Sequence, residues 1–192
     1  MLNRKKMKIR LSFFSISLFT ALFSLMIFSQ FIVLSPFVNS LIWLEGTLLS
    51  QSVRLNPWFY PISEVVHILG LAVLTGSTAL FDLRLLGYGK FLSVKKTADF
   101  LLPLAHLGFF LVVLSGTFLF LNDPRALMNN TAFQIKILLI LLAGINAFVF
   151  HVRNLKCAEI EIKEFSSVKA AAICSIFLWI AIIALGRLVA YI

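Results

Sequence analysis

The sequence is poor in charged residues and rich in apolar ones. Charged side chains make up 13% of the 192 residues, hydrophobic side chains make up 60%, and the mean hydropathy is +1.00. A soluble domain is usually about 45–50% apolar and about 25% charged, so this composition excludes an ordinary soluble protein. No polar stretch between the apolar segments exceeds about 20 residues, which is too short to bury a hydrophobic core of its own. The chain is therefore expected to be an integral membrane protein.

Cysteine is scarce as well, and the motifs of most enzymes are missing. Cys157 and Cys174 have no CxxC spacing and are interpreted as unpaired thiols without redox chemistry. The sequence contains no nucleophile–base arrangement, phosphate-binding loop or nucleotide motif, so it predicts no catalytic residue and leaves open whether the protein is an enzyme. The net charge of +9 does not indicate nucleic acid as a partner, because basic residues that flank membrane spans set their orientation.

An apolar run follows a basic start at the N-terminus. The residues from Leu11 to Ser35 carry no charge. This run is longer than the apolar core of about 7–15 residues found in a cleaved signal peptide. We expect an uncleaved signal-anchor helix here, with a cleaved signal peptide as the alternative. The next segment, residues 37–56, places apolar side chains between Phe37 and Leu48 on one helical face, which predicts an interfacial helix on the membrane surface.

Four further apolar segments each approach the ~20 residues needed to cross the hydrocarbon layer. A backbone in lipid must satisfy its own hydrogen bonds, so these segments are expected to be helices. The predicted fold is an all-α membrane protein with a four-helix transmembrane bundle in residues 57–192. A signal-anchor helix in residues 1–36 and a periplasmic-side interfacial helix in residues 37–56 precede the bundle. The predicted spans of the bundle are residues 62–86, 101–121, 133–152 and 170–191.

The distribution of basic residues predicts the orientation. With the N-terminus inside, the inner segments hold thirteen basic residues: Arg4, Lys5, Lys6, Lys8, Arg10, Arg84, Lys90, Lys95, Lys96, Arg153, Lys156, Lys163 and Lys169. The outer side holds four: Arg54, Arg125, Lys136 and Arg187. An excess of Lys and Arg marks the cytoplasmic side. We therefore expect a bacterial inner-membrane protein with its N-terminus inside and its C-terminus outside.

All three histidines lie within the predicted spans. An ionisable residue in a membrane helix indicates function, although a histidine can also simply hydrogen-bond a neighbouring helix. With a rise of about 1.5 Å per residue, His67 lies roughly 10 Å from the membrane centre toward the outside, whereas His106 and His151 lie roughly 7 and 10 Å toward the inside. A single three-histidine metal centre is disfavoured, because its ligands must converge to about 2 Å from one ion. The identity of any bound metal is left open.

Two nearly level histidines on consecutive antiparallel helices can hold a b-type haem, each providing one axial nitrogen. His106 and His151 are the candidate axial ligands. The small residues Gly108, Ala143 and Gly144 nearby leave space for a porphyrin. The alternative interpretation is that such residues allow close helix packing, as expected for Ala143 with Ala147.

Two further sets of polar residues lie in the spans. On the outer side, Glu64 and His67 share a helix face, and Lys136 and Arg187 reach a similar depth; burial of any one charge alone is costly. The set is interpreted either as ion pairs that join three spans or as a small polar cavity open to the outside. At the inner end lie Asp82, Arg84 and Asn146. Asp82 is expected to pair with Arg84, to cap a neighbouring helix or to face His151.

Several short motifs resemble those of a bacterial family of small polytopic membrane proteins of unknown function. The matching stretches cover residues 57–192 and are Tyr60-Pro61, Glu64-x-x-His67-x-x-Gly70, Phe81-Asp-Leu-Arg-Leu-Leu-Gly87, Pro103 with Gly108 and Ser115-Gly116, Phe133 with Lys136, Gly144-x-Asn146-Ala147 with His151, and Trp179 with Gly186-Arg187. His67 and His151 fall on these motifs, whereas His106 and the N-terminal span do not. A weaker likeness connects the chain to copper-resistance D proteins and to b-type cytochrome bundles. The resemblance implies a four-helix membrane unit and no agreed activity.

The leading functional hypothesis is a membrane-embedded cofactor protein that binds haem b or a metal and serves in electron transfer or metal handling. The alternative class is a cofactor-free accessory or scaffold subunit of a membrane complex, and a small transporter is third. The expected partners are the lipid bilayer and either other membrane subunits or a periplasmic protein.

Overall fold

The computed structural model describes residues 35–154 and 165–191, and this part of the chain contains seven helices and no strand. The predicted N-terminal span lies outside the described residues except for Ser35. The helices are α1 (Ser35–Glu45), α2 (Leu48–Leu55), α3 (Phe59–Leu86), α4 (Val94–Asn122), α5 (Pro124–Asn129), α6 (Thr131–Asn154) and α7 (Phe165–Leu188).

Four of these helices are long and apolar enough to cross a membrane. They are Phe59–Leu86, Val94–Asn122, Thr131–Val152 and Val168–Leu188, and each overlaps one of the four spans predicted for the bundle. At about 1.5 Å per residue, even the shortest spans roughly 30 Å, the thickness of a hydrocarbon core. The predicted all-α membrane fold with a four-helix bundle is therefore confirmed, and the protein lies in a lipid bilayer.

The residues between the spans end one helix and begin the next. α3 ends at Gly87, whose φ of 105° is left-handed and whose N–H donates to the carbonyl oxygen of Arg84. α4 begins after Ser93, whose side chain accepts from the N–H of Lys96. Asp123 caps α5 in the same way. We call the two ends of the bundle the Gly87 end and the Trp58 end, after the residues that flank α3.

The segment predicted as one interfacial helix forms two short helices, α1 and α2. The break falls at Gly46 and Thr47, and the Thr47 side chain accepts from the N–H of Ser50 to start α2. α2 covers the Trp58 end of the bundle: Val53 is 2% exposed, and the Ser50 hydroxyl donates to the carbonyl oxygen of Leu121 on α4 at 2.8 Å. The opposite side of α2 carries exposed leucines, as expected for a helix on the membrane surface.

Helices α3 and α4 cross with their backbones close together. A Cβ atom added at Gly108 would lie 2.5 Å from the backbone nitrogen of Leu74, and one at Gly70 would lie 2.9 Å from Cβ of Leu111. Only glycine fits at such distances, so these two residues let the helix backbones touch. Gly108 thus takes the packing role that was the alternative to making room for a porphyrin.

The described residues of the bundle form two separate apolar cores. One lies at the Gly87 end, joins α3, α4 and α7, and includes Phe81, Leu101 and Ala172. The other joins α6 to α7 through Leu139, Ala143 and Ile182. The closely packed pairs of long helices are therefore α3–α4, α3–α7 and α6–α7, and the described parts of α4 and α6 do not pack against each other along their length.

Candidate functional site

Aromatic side chains join α6 to α3 and α4 near its two ends. At the Trp58 end, the rings of Phe120 on α4 and Phe133 on α6 stack with centroids 5.8 Å apart. At the Gly87 end, Phe150 on α6 meets Phe81 on α3 edge-on, also at 5.8 Å. Between these contacts α4 and α6 have no close backbone approach along their described length. We call this side of the bundle the α4–α6 seam.

The Phe120–Phe133 contact sets the register of the two candidate haem ligands. His106 lies fourteen residues before Phe120 and His151 lies eighteen residues after Phe133. At about 3.6 residues per turn, these intervals are close to four and five whole turns. Each histidine therefore lies close to the face by which its helix meets the other. With a rise of about 1.5 Å, the two histidines differ in level by roughly 6 Å.

The ring of His106 has a defined tautomer. Its Nδ1 lies 2.7 Å from the carbonyl oxygen of Leu102, one turn earlier on α4, and the side chain is exposed. A carbonyl oxygen only accepts, so Nδ1 carries the proton and donates it. The lone pair of Nε2 is then free. Histidines that ligate metals have this arrangement, with the second nitrogen donating to an oxygen.

His151 is exposed near the end of α6. Its side chain makes no hydrogen bond or ion pair with a described residue. The adjoining surface is open: a Cβ atom at Gly144, two turns earlier, would meet nothing within 4 Å, and Phe109 across the seam is 48% exposed. Gly144 thus differs from Gly108, because it leaves free space on α6.

A second polar site lies at the Trp58 end of α3. Nδ1 of His67 is 3.0 Å from Oγ of Ser115 on α4. The single hydroxyl proton of Ser115 is donated to the carbonyl oxygen of Leu111 at 2.5 Å, so Ser115 accepts from Nδ1–H of His67. Gly116 makes room for the ring, since a Cβ atom there would lie 3.1 Å from Cε1 of His67. This hydrogen bond ties α3 to α4.

The predicted outer cluster of four residues comes together only in part. Lys136 on α6 lies near His67 without a hydrogen bond to it, and its amine lies against Gly186 on α7. Arg187 instead donates to the hydroxyl of Tyr191 at 2.7 Å. Glu64 is exposed and has no ion pair with a described residue. The site that forms is therefore His67 with Ser115 and Lys136.

The three inner polar residues are also separate from one another. Arg84 donates through Nε to the carbonyl oxygen of Leu92 at 2.7 Å. Asn146 donates to the carbonyl oxygen of Ala171 at 3.2 Å and so joins α6 to α7. Asp82 is 6% exposed, and the nearest polar side chain on α7 is that of Ser175. Asp82 therefore faces α7 and not Arg84.

Three features of the structure were absent from the sequence prediction. Ser115 lies within a quoted motif but shows its role only when α3 and α4 are placed side by side. Ser175 lies in none of the motifs, and its place beside Asp82 is apparent only when α3 and α7 are placed side by side. The third is the ion pair between Glu45 and Arg125, whose Oε2 and Nε atoms are 2.7 Å apart. The two residues lie eighty positions apart, and no local spacing indicates that they meet.

Among the residues that the structure describes, no three His, Cys, Asp or Glu side chains form a group that could hold a metal ion. The arrangement that could ligate a cofactor is instead the pair of exposed imidazoles on the two sides of the α4–α6 seam.

Comparison with known proteins places the chain in a family. No curated protein and no solved structure matches it significantly. A family of unknown function, DUF6644, matches residues 40–192. The match includes all four described spans and extends the motif resemblance upstream to most of α1 and all of α2. The chain therefore belongs to the DUF6644 family, a family of unknown function.

Proposed function

We propose that the protein binds a b-type haem in the α4–α6 seam, with His106 and His151 as its axial ligands, and carries electrons within the membrane. The observation that carries this proposal is that α4 and α6 are joined by the Phe120–Phe133 contact and do not otherwise pack closely along their described length, with one histidine on each side. When bound, the haem would supply a one-electron redox couple.

The protonation state of the His106 ring supports the proposal. An axial ligand must present an unprotonated ring nitrogen, and the Leu102 carbonyl oxygen keeps the proton on Nδ1 so that Nε2 is available. An imidazole exposed to lipid has few other partners for this nitrogen, and an unsatisfied polar atom in hydrocarbon is costly. A ligand bond at Nε2 would remove that cost.

The space in the seam also supports the proposal. A porphyrin needs an apolar slot between the two imidazoles. Phe109 supplies an aromatic wall on α4, and Gly144 leaves the facing surface of α6 without a side chain. A bundle with close α4–α6 packing would have no room for such a group.

The optical spectrum of the protein purified in detergent tests the proposal. We expect a Soret band, split α and β bands after reduction, and one haem per chain by haemochrome assay. His106→Ala and His151→Ala should each lower haem content at least tenfold, whereas His67→Ala, the matched control, should retain it. Apoprotein that stays colourless after expression with added haem precursor would contradict the proposal. Such a result would favour the cofactor-free accessory subunit.

We further propose that the protein resides in a bacterial inner membrane with its N-terminus inside. Thirteen of its seventeen Lys and Arg residues then lie on the cytoplasmic side. The proposed haem would lie in the inner half of the bilayer. Reporter fusions at Lys95 and Lys163 should read cytoplasmic, and a fusion at Arg125 should read periplasmic. A cytoplasmic reading at Arg125 would reverse the orientation.

A further inference from the structure

Asp82 is a buried carboxyl group whose hydrogen bonding is incomplete. The residue is 6% exposed, and its Oδ2 atom is buried without a hydrogen-bond partner. A buried oxygen that has lost water and gained no donor is destabilising, so such atoms are uncommon in folded proteins. Its position near the Gly87 end of a membrane span makes the absence of a donor more costly.

No described side chain supplies the missing donor. Arg84 is the cation closest in sequence, and its guanidinium is directed to the carbonyl oxygen of Leu92. The hydroxyl of Ser175 on α7 is the polar side chain that faces the Asp82 carboxyl group, and no charged described residue interacts with that carboxyl group. The Asp82 carboxyl group is therefore buried with an incomplete set of hydrogen bonds.

Asp82 forms part of the wall of a groove between α3 and α7. The groove has a volume of about 300 Å³, and the α3 side is built mainly from small residues. A Cβ atom added at Gly76 would meet nothing within 4 Å, so this wall is open. The other residues that line it include Thr75, Ala79, Trp179 and Ile183. The groove is thus an apolar slot with one acceptor in its wall.

We propose that this groove binds a lipid-soluble molecule with an apolar body and a hydrogen-bond-donating head group, a hydroxyl or an amine, which donates to the carboxyl group of Asp82 in the groove wall. The volume suits a single ring or a short chain, since ligand pockets begin at about 300 Å³. The donor restores the hydrogen bond that Asp82 lacks, and the body contacts Trp179 and the isoleucines of α7. The groove lies between α3 and α7 and not at the α4–α6 seam, so this proposal does not depend on haem binding.

The test uses the fluorescence of Trp179, which lines the groove. The chain has three tryptophans, and Trp43 and Trp58 are 71% and 72% exposed, so phenylalanine can replace both without loss of a buried contact. Trp179 is then the only reporter in the full-length protein in detergent. The probes are 4-bromophenol and 4-bromoanisole, which have similar bodies and a bromine that quenches tryptophan on contact. Only the phenol has a hydroxyl to donate.

We expect saturable quenching by 4-bromophenol with an apparent affinity at least tenfold above that of 4-bromoanisole, a difference of about 1.4 kcal/mol. Asp82→Leu should abolish this preference, and Asp82→Asn should reduce it while keeping the shape of the side chain. Asp99→Asn, which changes an exposed carboxyl group on α4, is the matched control and should behave as the parent protein.

Three results would overturn the proposal. They are equal quenching by the two probes, quenching that rises linearly without saturation, and a preference for the phenol that survives in both Asp82 variants. Should Asp82→Leu fail to elute as a monodisperse species, the Asp82→Asn variant decides the question alone. The haem spectrum of each variant is recorded in parallel, and it should not change.

Discussion

The rings of Phe120 and Phe133 stack at 5.8 Å with an interplanar angle of 13°, and this contact joins α4 to α6 across the short helix α5. The partner contact between Phe81 and Phe150 lies at the opposite end of the bundle. α6 is therefore held to α3 and α4 by aromatic side chains, while its backbone packs closely against α7. The α4–α6 seam can therefore be open although the pairs α3–α4, α3–α7 and α6–α7 pack closely.

The first prediction concerns this aromatic contact. Phe133→Leu should lower the free energy of unfolding in detergent by about 0.5–1.5 kcal/mol beyond the change in buried area, because the ring stacking is lost. Phe148→Leu is the control, since that side chain is 69% exposed on the same helix. If haem binds in the seam, Phe133→Leu should also lower haem content. The stacking fixes the rotation of α6 relative to α4, and without it His106 and His151 are no longer held facing each other. Equal stability of the two variants would show that the stacking does not hold α6 in place.

The second prediction concerns the hydrogen bond between His67 and Ser115. Ser115→Ala removes the acceptor of the His67 Nδ1–H and should destabilise the bundle by about 0.6 kcal/mol, the average measured for interhelical hydrogen bonds in a membrane protein, and by at most about 1.7 kcal/mol. Thr117→Val is the control, because among the described residues the Thr117 hydroxyl bonds to the carbonyl oxygen of Val113 on its own helix and to no other group. Reversible unfolding in mixed detergent measures both. A Ser115→Ala variant no less stable than Thr117→Val would contradict the interhelical role.

Sequence patterns were sufficient for the four spans and insufficient for the contacts between them. Long apolar segments predict the number of helices, because lipid allows only helices to form from such segments. The ends are less well predicted, since the second predicted span begins at residue 101 and α4 begins at Val94. The depth estimate places His106 and His151 at similar levels. Whether they face each other depends on the rotation of α4 and α6, and the Phe120–Phe133 contact specifies that rotation only in the folded bundle.

The predicted outer cluster also shows that sequence patterns do not specify which side chains of different helices meet. A spacing of three residues places Glu64 and His67 on one helix face, and similar depth suggests that Lys136 and Arg187 join them. Depth does not specify direction, however. Arg187 bonds Tyr191 one turn later, and His67 bonds Ser115 on a helix that the sequence pattern did not connect with it.

The third prediction concerns pH and the ion pair of Glu45 with Arg125. The hydrogen bond from Arg125, aided by its charge, holds the pKa of Glu45 below its usual range. A carboxyl group with a lowered pKa stabilises the fold above its unfolded pKa of about 4.3, and this stability is lost as the pH falls through the folded pKa. Wild type should therefore melt above Glu45→Gln at pH 7, and the difference should shrink below about pH 4.3.

Thermal melting in detergent between pH 3 and 7 measures this difference. Asp99→Asn serves as the control, because Asp99 is exposed and has no ion pair with a described residue. The guanidinium of Arg54 bonds the backbone carbonyl oxygen of Glu45, so Glu45→Gln leaves that contact intact. A difference between wild type and Glu45→Gln that is constant across the range would show that the pair does not titrate with folding.

The last prediction compares the effects of substitution at Gly108 and Gly144, two helix glycines that the sequence alone does not distinguish. At Gly108 a Cβ atom would lie 2.5 Å from the Leu74 backbone, and that backbone cannot move without shifting α3. Gly108→Ala should therefore destabilise the bundle by about 1–3 kcal/mol through overpacking. At Gly144 a Cβ atom meets nothing within 4 Å. Gly144→Ala should instead be neutral or stabilising by about 0.4–1 kcal/mol, because alanine restricts the unfolded chain.

Larger side chains at Gly144 connect this stability test to the seam. Gly144→Leu should leave stability within about 0.5 kcal/mol of wild type, as expected for a surface substitution. In the same protein it should lower haem content, since the new side chain fills the space opposite Phe109. A Gly144→Leu variant that is as unstable as Gly108→Ala would mean that α4 and α6 close on each other and that the seam is not open. Full haem content in a stable Gly144→Leu variant would place the haem elsewhere.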